Sequence, residues 1–348
     1  MSAKRVLIVD DSPTIRQLIR AQLQGDSRLV VVGEASDPYD AREKIKALAP
    51  DVLTLDVEMP RMNGLEFLEK IMRLRPMPVI MVSTLTQRGS TKAMEALSLG
   101  AVDCIGKPKY GNPIEAFGIL PDLLVAAADA RLRSGPRKKV EPASGFTWNG
   151  KVILIGSSTG GVDALETVLS GFPANCPPTL ITQHMPESFL ASFARRLQGC
   201  IAPNMGLARD GLPLTQGNVY LAPGGEYHLA VKPGEPARCR LEASEKRNGH
   251  RPSVEVLFDS AVPMASKVVS VMLTGMGRDG ADAMLRLRQA GARCFAQDSA
   301  TSVVYGMPRA AVENGAAEKA VPLGRIASTV LAQCGRQTAA VERGGRFA

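Results

Sequence analysis

The chain has 348 residues, 45% hydrophobic and 22% charged, a length and composition that predict two soluble globular domains rather than one core. No apolar run reaches the ~18 residues of a membrane span. The opening Met1-Ser-Ala-Lys-Arg leads straight into a short strand without a secretion-signal core, so a cytoplasmic protein with no membrane insertion is expected. The net charge of +8 lies wholly beyond residue 125, since 1–125 hold 16 basic and 16 acidic residues. Charge alone admits either nucleic acid or an acidic protein as partner, but 4% aromatics and the lack of helix-turn-helix or zinc spacing argue against nucleic acid.

Residues 1–125 alternate strand and helix signals. Apolar runs at 6–9, 30–32, 52–55, 79–82 and 101–105 are separated by amphipathic stretches at 13–24, 39–48, 64–74 and 91–99. Five strands joined through helices imply right-handed crossovers and a five-stranded, doubly wound parallel sheet. A last helix is predicted over 122–132, and the glycine, proline and charge of 134–145 mark 126–148 as a flexible linker. A second α/β pattern occupies 149–336. It predicts strands at 151–155, 179–182 and 268–273, helices at 162–169, 188–197, 254–264 and 281–290, and short antiparallel pieces at 218–221 and 227–241. This is a doubly wound α/β domain with a mainly parallel sheet, followed at 337–348 by an aperiodic tail expected to be disordered. The six cysteines stand at least 24 residues apart with no C-x-x-C pair, which fits reduced structural thiols.

Asp10 and Asp11 follow the first predicted strand, Asp56 the third, Ser83 the fourth and Lys107 the fifth. Strand ends in a parallel sheet converge, so three carboxylates and an ammonium face one another. Asp10, Asp11 and Asp56 suit a hard divalent cation such as Mg²⁺, which keeps several waters. The cation and Lys107 neutralise an incoming phosphoryl group, Asp56 is the nucleophile and Ser83 a hydroxyl partner. One acid at a wet strand end has an ordinary explanation, whereas a full set of fitting residues does not. With Asp56-Val-Glu-Met-Pro60 and Gly64, the set resembles the response-regulator receiver domain of two-component signalling over about residues 1–120. The resemblance implies phosphorylation of Asp56 by a histidine kinase, with Ser83 as the switch hydroxyl.

In the second domain Gly156-Ser-Ser-Thr-Gly160 fits G-x-S-x-G between a strand and a helix, which puts Ser158 at the turn and helix-start N–H groups beside it. Ser157 is the neighbouring candidate. A dinucleotide cradle is the rival, but G-x-G-x-x-G spacing is absent and the next strand ends in Gln183-His184 rather than an acid. Of the three histidines, His184 follows a strand, His228 lies within a short strand and reads as structural, and His250 lies beside Arg251 in a basic loop suited to substrate. Asp279, in Thr274-Gly-Met-Gly-Arg-Asp-Gly280, is either an orienting carboxylate or the cap of the following helix, a place Asp282 also fits. Ser158, His184 and Asp279 together suffice for acyl transfer.

The order Ser…His…Asp is not that of the α/β-hydrolases, chymotrypsin or subtilisin. The blocks at 156–161, 183–186, 250–254 and 273–280 resemble the catalytic domain of the chemotaxis methylesterase family CheB, and with the receiver the likeness spans about 1–335. It implies a protein-glutamate methylesterase acting on γ-glutamyl esters of methyl-accepting chemotaxis receptors, with glutaminase activity on receptor glutamines. It also implies a CheA-like histidine kinase as phosphodonor, a monomer, no cofactor for ester hydrolysis, and backbone N–H groups of Thr159 and Met276 near the oxyanion. By the same resemblance, the unphosphorylated receiver inhibits by covering the Ser158 crevice.

Overall fold

Runs of valine, isoleucine and leucine form the first sheet, and the computed structural model describes it within residues 2–84, 87–107 and 117–130, and the second sheet within 146–336. The strands are β1 (Lys4–Val9), β2 (Leu29–Ala35), β3 (Val52–Asp56), β4 (Val79–Thr84) and β5 (Asp103–Lys107), ordered β2-β1-β3-β4-β5 with every pairing parallel. The central β3 is buried along its whole length, as a strand covered on both faces requires. Around it lie α1 (Pro13–Leu23), α2 (Pro38–Leu48), α3 (Gly64–Leu74), α4 (Gln87–Ser98) and α5 (Leu120–Ala128). The first three start where Ser12, Asp37 and Asn63 accept hydrogen bonds from first-turn N–H groups, and proline opens α1 and α2. α4 begins at Gln87 rather than at 91, and α5 at Leu120 rather than at 122. α5 continues to Ala128 and Asp129 pairs with Lys4 at 2.5 Å, so the start of the stretch 126–148 read as linker belongs to the first domain, while 131–145 and the tail 337–348 lie outside the described residues.

The second half contains, in chain order, β6 (Val152–Ser157), α6 (Gly161–Ser170), β7 (Thr179–Gln183), α7 (Glu187–Gln198), β8 (Asn204–Leu207) and β9 (Asn218–Leu221). A hairpin of β10 (Tyr227–Lys232) and β11 (Arg238–Ala243) follows, then α8 (Val254–Ser260), β12 (Val268–Met272) and α9 (Ala281–Gln289). The last elements are β13 (Arg293–Gln297), α10 (Met307–Glu313), β14 (Lys319–Val321) and α11 (Leu323–Cys334). Seven strands pair in the order β14-β13-β12-β6-β7-β9-β8, all parallel. The expectation of antiparallel pieces holds for the separate β10–β11 hairpin. It fails for β9, which runs parallel between β7 and β8. The chain leaves β6 toward β7 on one side and returns as β12 on the other, so the crevice beyond β6 and β12 is the switch point where such sheets collect ligands.

The two halves share apolar contacts. One buried cluster runs from Met94 and Leu97 on α4 to Phe189 and Phe193 on α7, and Val303 rests against the core of the first sheet.

Gly64 fixes the loop after β3. A Cβ there would stand 1.9 Å from the Asp56 carbonyl oxygen, while the Gly64 amide donates to the Val57 carbonyl at 2.9 Å. Gly64→Ala is expected to destabilise the first domain by about 1–3 kcal/mol, as overpacking does. A urea titration followed by a probe in that domain checks this, and an unchanged midpoint contradicts it.

Candidate active site

Three strand ends of the second sheet are stitched together by backbone and side-chain bonds. The Ser158 amide donates to the Thr274 carbonyl at 3.0 Å, joining the end of β6 to the loop after β12. The His184 amide donates to the Ser157 carbonyl at 3.0 Å, joining β7 to β6. Gln183 completes the tie, its Nε2 donating to the Ser158 carbonyl at 2.9 Å while its Oε1 accepts from Ser157 Oγ at 2.6 Å. Ser157 is therefore buried and engaged, and Ser158 is the hydroxyl left at the crevice. Gly275 passes so close that a Cβ on it would stand 2.7 Å from Ser158 Cβ.

Asp279 meets His184 at this point. His184 Nε2 lies 2.8 Å from Asp279 Oδ2, and the His184 side chain is almost fully buried. Asp279 Oδ2 also accepts from the Val254 amide at 2.7 Å, and Oδ1 accepts from Asn248 Nδ2 and Ser253 Oγ, both at 2.8 Å. Burial alone would push this carboxyl up, but bonds from His184, Asn248 and Ser253 hold its pKa down at about 2. The other ring nitrogen of His184, Nδ1, is buried without a hydrogen-bond partner. An unpaired buried acceptor costs stability, and here it is the nitrogen left to take a proton. Neither the Thr159 nor the Met276 amide has an acceptor among the described residues; Thr159 follows Ser158, and Met276 follows Gly275, which packs against Ser158.

Several expectations need correction. Asp279 does not cap its own following helix: α9 starts after Gly280 with no side-chain cap, and Asp282 instead pairs with Arg278 at 2.9 Å. The carboxylate of Asp279 caps a different helix, α8, through the Val254 amide. The G-x-S-x-G match lacks the strained serine of an α/β-hydrolase elbow, because Ala49, Arg61 and Asn248 are the non-glycine residues with positive φ among those described. The left-handed turn falls on Gly160 (φ 76°). The Arg251 guanidinium donates to the carbonyls of Gly225 and Ser244 at 2.8 Å each, which fixes where its charge sits. His250 stacks on His184, while His228 is buried and bonded to Glu245 and Ser253, a structural residue as expected. Gln183, Asn248, Ser253 and Val254 were not singled out from the sequence. The Asn248-Gly249 dipeptide, a strong two-residue turn signal, was the available pointer to the first of the missed loop residues.

The first sheet carries a second constellation. Strand register sets Asp56 beside Val82, Ser83 beside Gly106 and Thr84 beside Lys107. Lys107 Nζ lies 2.8 Å from Asp56 Oδ2 and 2.9 Å from Asp10 Oδ2. Burial, reinforced by the Asp10 charge, raises the Asp56 pKa to about 6 against the pull of Lys107. Carboxylate oxygens of Asp10, Asp11 and Asp56 all lie within 4.8 Å of one another. Three mutually repelling carboxylates with one ammonium form an all-oxygen donor set that fits a hard divalent cation.

The first domain also reaches the crevice. Burial pushes the Asp103 carboxyl, at the start of β5, up to about 6, against hydrogen bonding with the Thr159 side chain and attraction from His184. Nearby, a cleft of about 660 Å³ lies between Ala126 and Asp129 of the first domain and Met276, Arg278 and Arg309 of the second.

Residues 153–330 match the family described as CheB methylesterase, and residues 6–115 match the response regulator receiver domain. The protein-glutamate methylesterase/protein-glutamine glutaminase of Rhizobium etli is 54% identical over 332 residues, covering 94% of this chain and 95% of that protein. Protein-glutamate methylesterase/protein-glutamine glutaminase 1 of Caulobacter vibrioides is 52% identical over 337 residues, covering 95% and 98%. The crystal structure of the Thermotoga maritima CheB methylesterase catalytic domain is 36% identical with a TM-score of 0.51, covering 53% of this chain and 99% of that one.

The depressed pKa of Asp279 has a consequence for stability. A carboxyl at about 2 when folded and ~3.9 when unfolded stabilises the fold above pH ~4, and that contribution is lost as pH falls toward ~2. Asp279→Asn lacks it, so its urea midpoint is expected to drop less between pH 4 and pH 2 than the parent's. Equal drops contradict the assignment.

Proposed function

The chain belongs to the CheB methylesterase family, with a response regulator receiver domain in front. On that premise we propose that it is a phosphorylation-regulated esterase that hydrolyses glutamate γ-methyl esters on methyl-accepting chemotaxis receptors and deamidates receptor glutamines. The observation that carries this reading is the His184 ring. One nitrogen is bound to a buried, ionised Asp279 and the other is buried and unpaired next to the strand end that bears Ser158.

His184 Nδ1 takes the proton from Ser158 Oγ as that oxygen attacks the ester carbonyl. Asp279 fixes the tautomer, keeping the proton of the resting ring on Nε2, and steadies the imidazolium. Charge developing on the carbonyl oxygen is met by the Thr159 and Met276 amides, donors held in place before reaction begins. The imidazolium returns its proton to the methoxy oxygen and methanol departs, leaving a glutamyl ester on Ser158. Water, deprotonated by His184, then releases the glutamate carboxylate and restores the serine. With a glutamine side chain the leaving group is ammonia. The ester chemistry is carried by side chains and backbone amides alone.

Asp56 is the proposed phosphoryl acceptor, with a CheA-like histidine kinase as donor. Asp10, Asp11 and Asp56 would hold Mg²⁺, which supplies charge neutralisation for the incoming phosphoryl group when bound. Lys107 reaches the same point from β5, the second strand over, and Ser83 follows Val82, the register partner of Asp56 on β4. Inhibition by the unphosphorylated receiver is supported by the shared cluster of α4 and α7 and by the pull of Thr159 on Asp103. The elements that carry these contacts, β4–α4 and β5, also carry Ser83 and Lys107.

Methanol release from methyl-labelled receptor membranes tests the reading. Ser158→Ala and His184→Ala are each expected to lower kcat by about 10³-fold or more, with the double variant little worse than either. Near-parental turnover by Ser158→Ala would refute it. Asp56→Asn is expected to abolish phosphotransfer from the kinase.

Receiver inhibition makes a separate claim. A chain beginning at Phe146 is expected to turn over about tenfold faster or more than the unphosphorylated full chain, if the open arrangement is populated at about 10% or less. Equal rates would reject covering and leave receptor recruitment as the means of control.

A further inference from the structure

None of the steps above uses His250, yet its imidazole lies face to face with His184, ring centroids 3.8 Å apart and planes within 6°. The backbone goes out of its way to hold it there. Asn248 (φ 51°) and Gly249 (φ 80°) both adopt the left-handed region. Arg247 and His250 exchange backbone bonds at 3.0 and 2.9 Å, closing a two-residue hairpin turn. Asn248, at the tip, is anchored on Asp279 at 2.8 Å. One short turn thus grips the carboxylate with one side chain and covers the imidazole with another. No hydrogen bond reaches the His250 ring among the described residues, so the position uses its flat face rather than a donor.

We propose that His250 is a positioning residue whose neutral ring fixes the plane of the His184 imidazole, and hence the line from Nδ1 to Ser158 Oγ, and favours the imidazolium formed when that proton moves. The inference rests on the reading of His184 as the general base. Burial, then the His184 charge, push the His250 pKa down to about 4, with Asp279 opposing and Lys246 adding. The ring is therefore uncharged near neutral pH. A base that weak cannot replace His184, but an uncharged aromatic face against a cation is attractive, more so out of water. The groups that act electrostatically on His250 are His184, Asp279 and Lys246.

Stacking and mere space filling make different demands on the replacement. His250→Leu fills the volume and keeps the site dry without an aromatic face, whereas His250→Phe restores the face. Using the phosphorylated full chain and methyl-labelled receptor membranes, His250→Leu is expected to lower kcat about tenfold with KM within about twofold. The acid limb of its kcat profile should move about 0.5–1 pH unit lower, because the His184 imidazolium loses its stacking partner. His250→Phe is expected to stay within about threefold of the parent in kcat, with its acid limb in place. Assays run below the melting temperatures of both variants keep folding out of the comparison. Equal kcat for the leucine and phenylalanine variants, an unmoved acid limb in His250→Leu, or a change in KM in place of kcat would each overturn the proposal. His184→Ala is measured alongside: full activity there would overturn the base assignment itself, whatever the His250 variants do.

Discussion

Burying the Asp279 carboxylate would be costly without partners, and much of the second domain is arranged to supply them. Its two oxygens accept from four donors: a histidine ring, an asparagine amide, a serine hydroxyl and the backbone amide that opens α8. Those donors come from the end of β7, from the turn at 247–250 and from the start of α8. Removing any one leaves a charge under-solvated in a dry place, so the carboxylate specifies the relative position of all three. The same bonds keep it ionised, and an ionised neighbour is what an imidazole needs to accept a proton.

The start of α9 is bound into the same arrangement by a reciprocal exchange. Asp279, just before α9, accepts from the first amide of α8, while Glu255, in the first turn of α8, accepts from Gly280 at the start of α9 at 3.2 Å. Two helix N-termini, each electropositive, are satisfied by a carboxylate from the other. Val254 sits between them, and a Cβ on either Gly156 or Gly280 would stand 2.3 Å from its Cγ1. The first glycine of the G-x-S-x-G pattern is thus required by the side chain of α8 packed against it. The sharp turn is supplied by the second glycine, Gly160.

This division explains what could be read in the chain beforehand. The aspartates and lysine of the receiver sit at ends of regular apolar runs, so periodicity alone gathered them. Ser158, His184 and Asp279 were legible for the same reason, each lying just past a strand. The residues that hold Asp279 in place were not. Asn248, Ser253 and Val254 reach Asp279 across 25 to 31 positions from a tight turn and the start of α8, and Gln183 reads as one more strand residue until its amide is seen bridging two serines. Asp279, legible as an orienting carboxylate or as the cap of its own helix, caps instead a helix that starts 25 residues upstream. The region 293–334 escaped because β13 (Arg-Cys-Phe-Ala-Gln) has no β-branched residue and β14 is three residues long. Both are strands through their pairing with β12 and with each other.

One strand, β5, touches both the acidic site of the first domain and the crevice of the second. Lys107, at its carboxyl end, is held between Asp10 and Asp56, and Asp103, at its other end, feels Thr159 and His184. Four residues of extended chain span roughly 13 Å, so one rigid strand carries both contacts. A phosphoryl group on Asp56 would change the partners available to Lys107, and Ser83 on the adjoining strand leads directly into α4. A strand inside a close-packed sheet does not stretch to carry such a signal. The apolar contact between the halves lies instead at the seam of α4 and α7. Its side chains belong to one buried cluster shared by the two domains, so separating them exposes apolar surface of both. An inhibitory contact of that kind can hold the unphosphorylated chain closed and still yield to a local change in charge, because only the difference between the two states must be overcome.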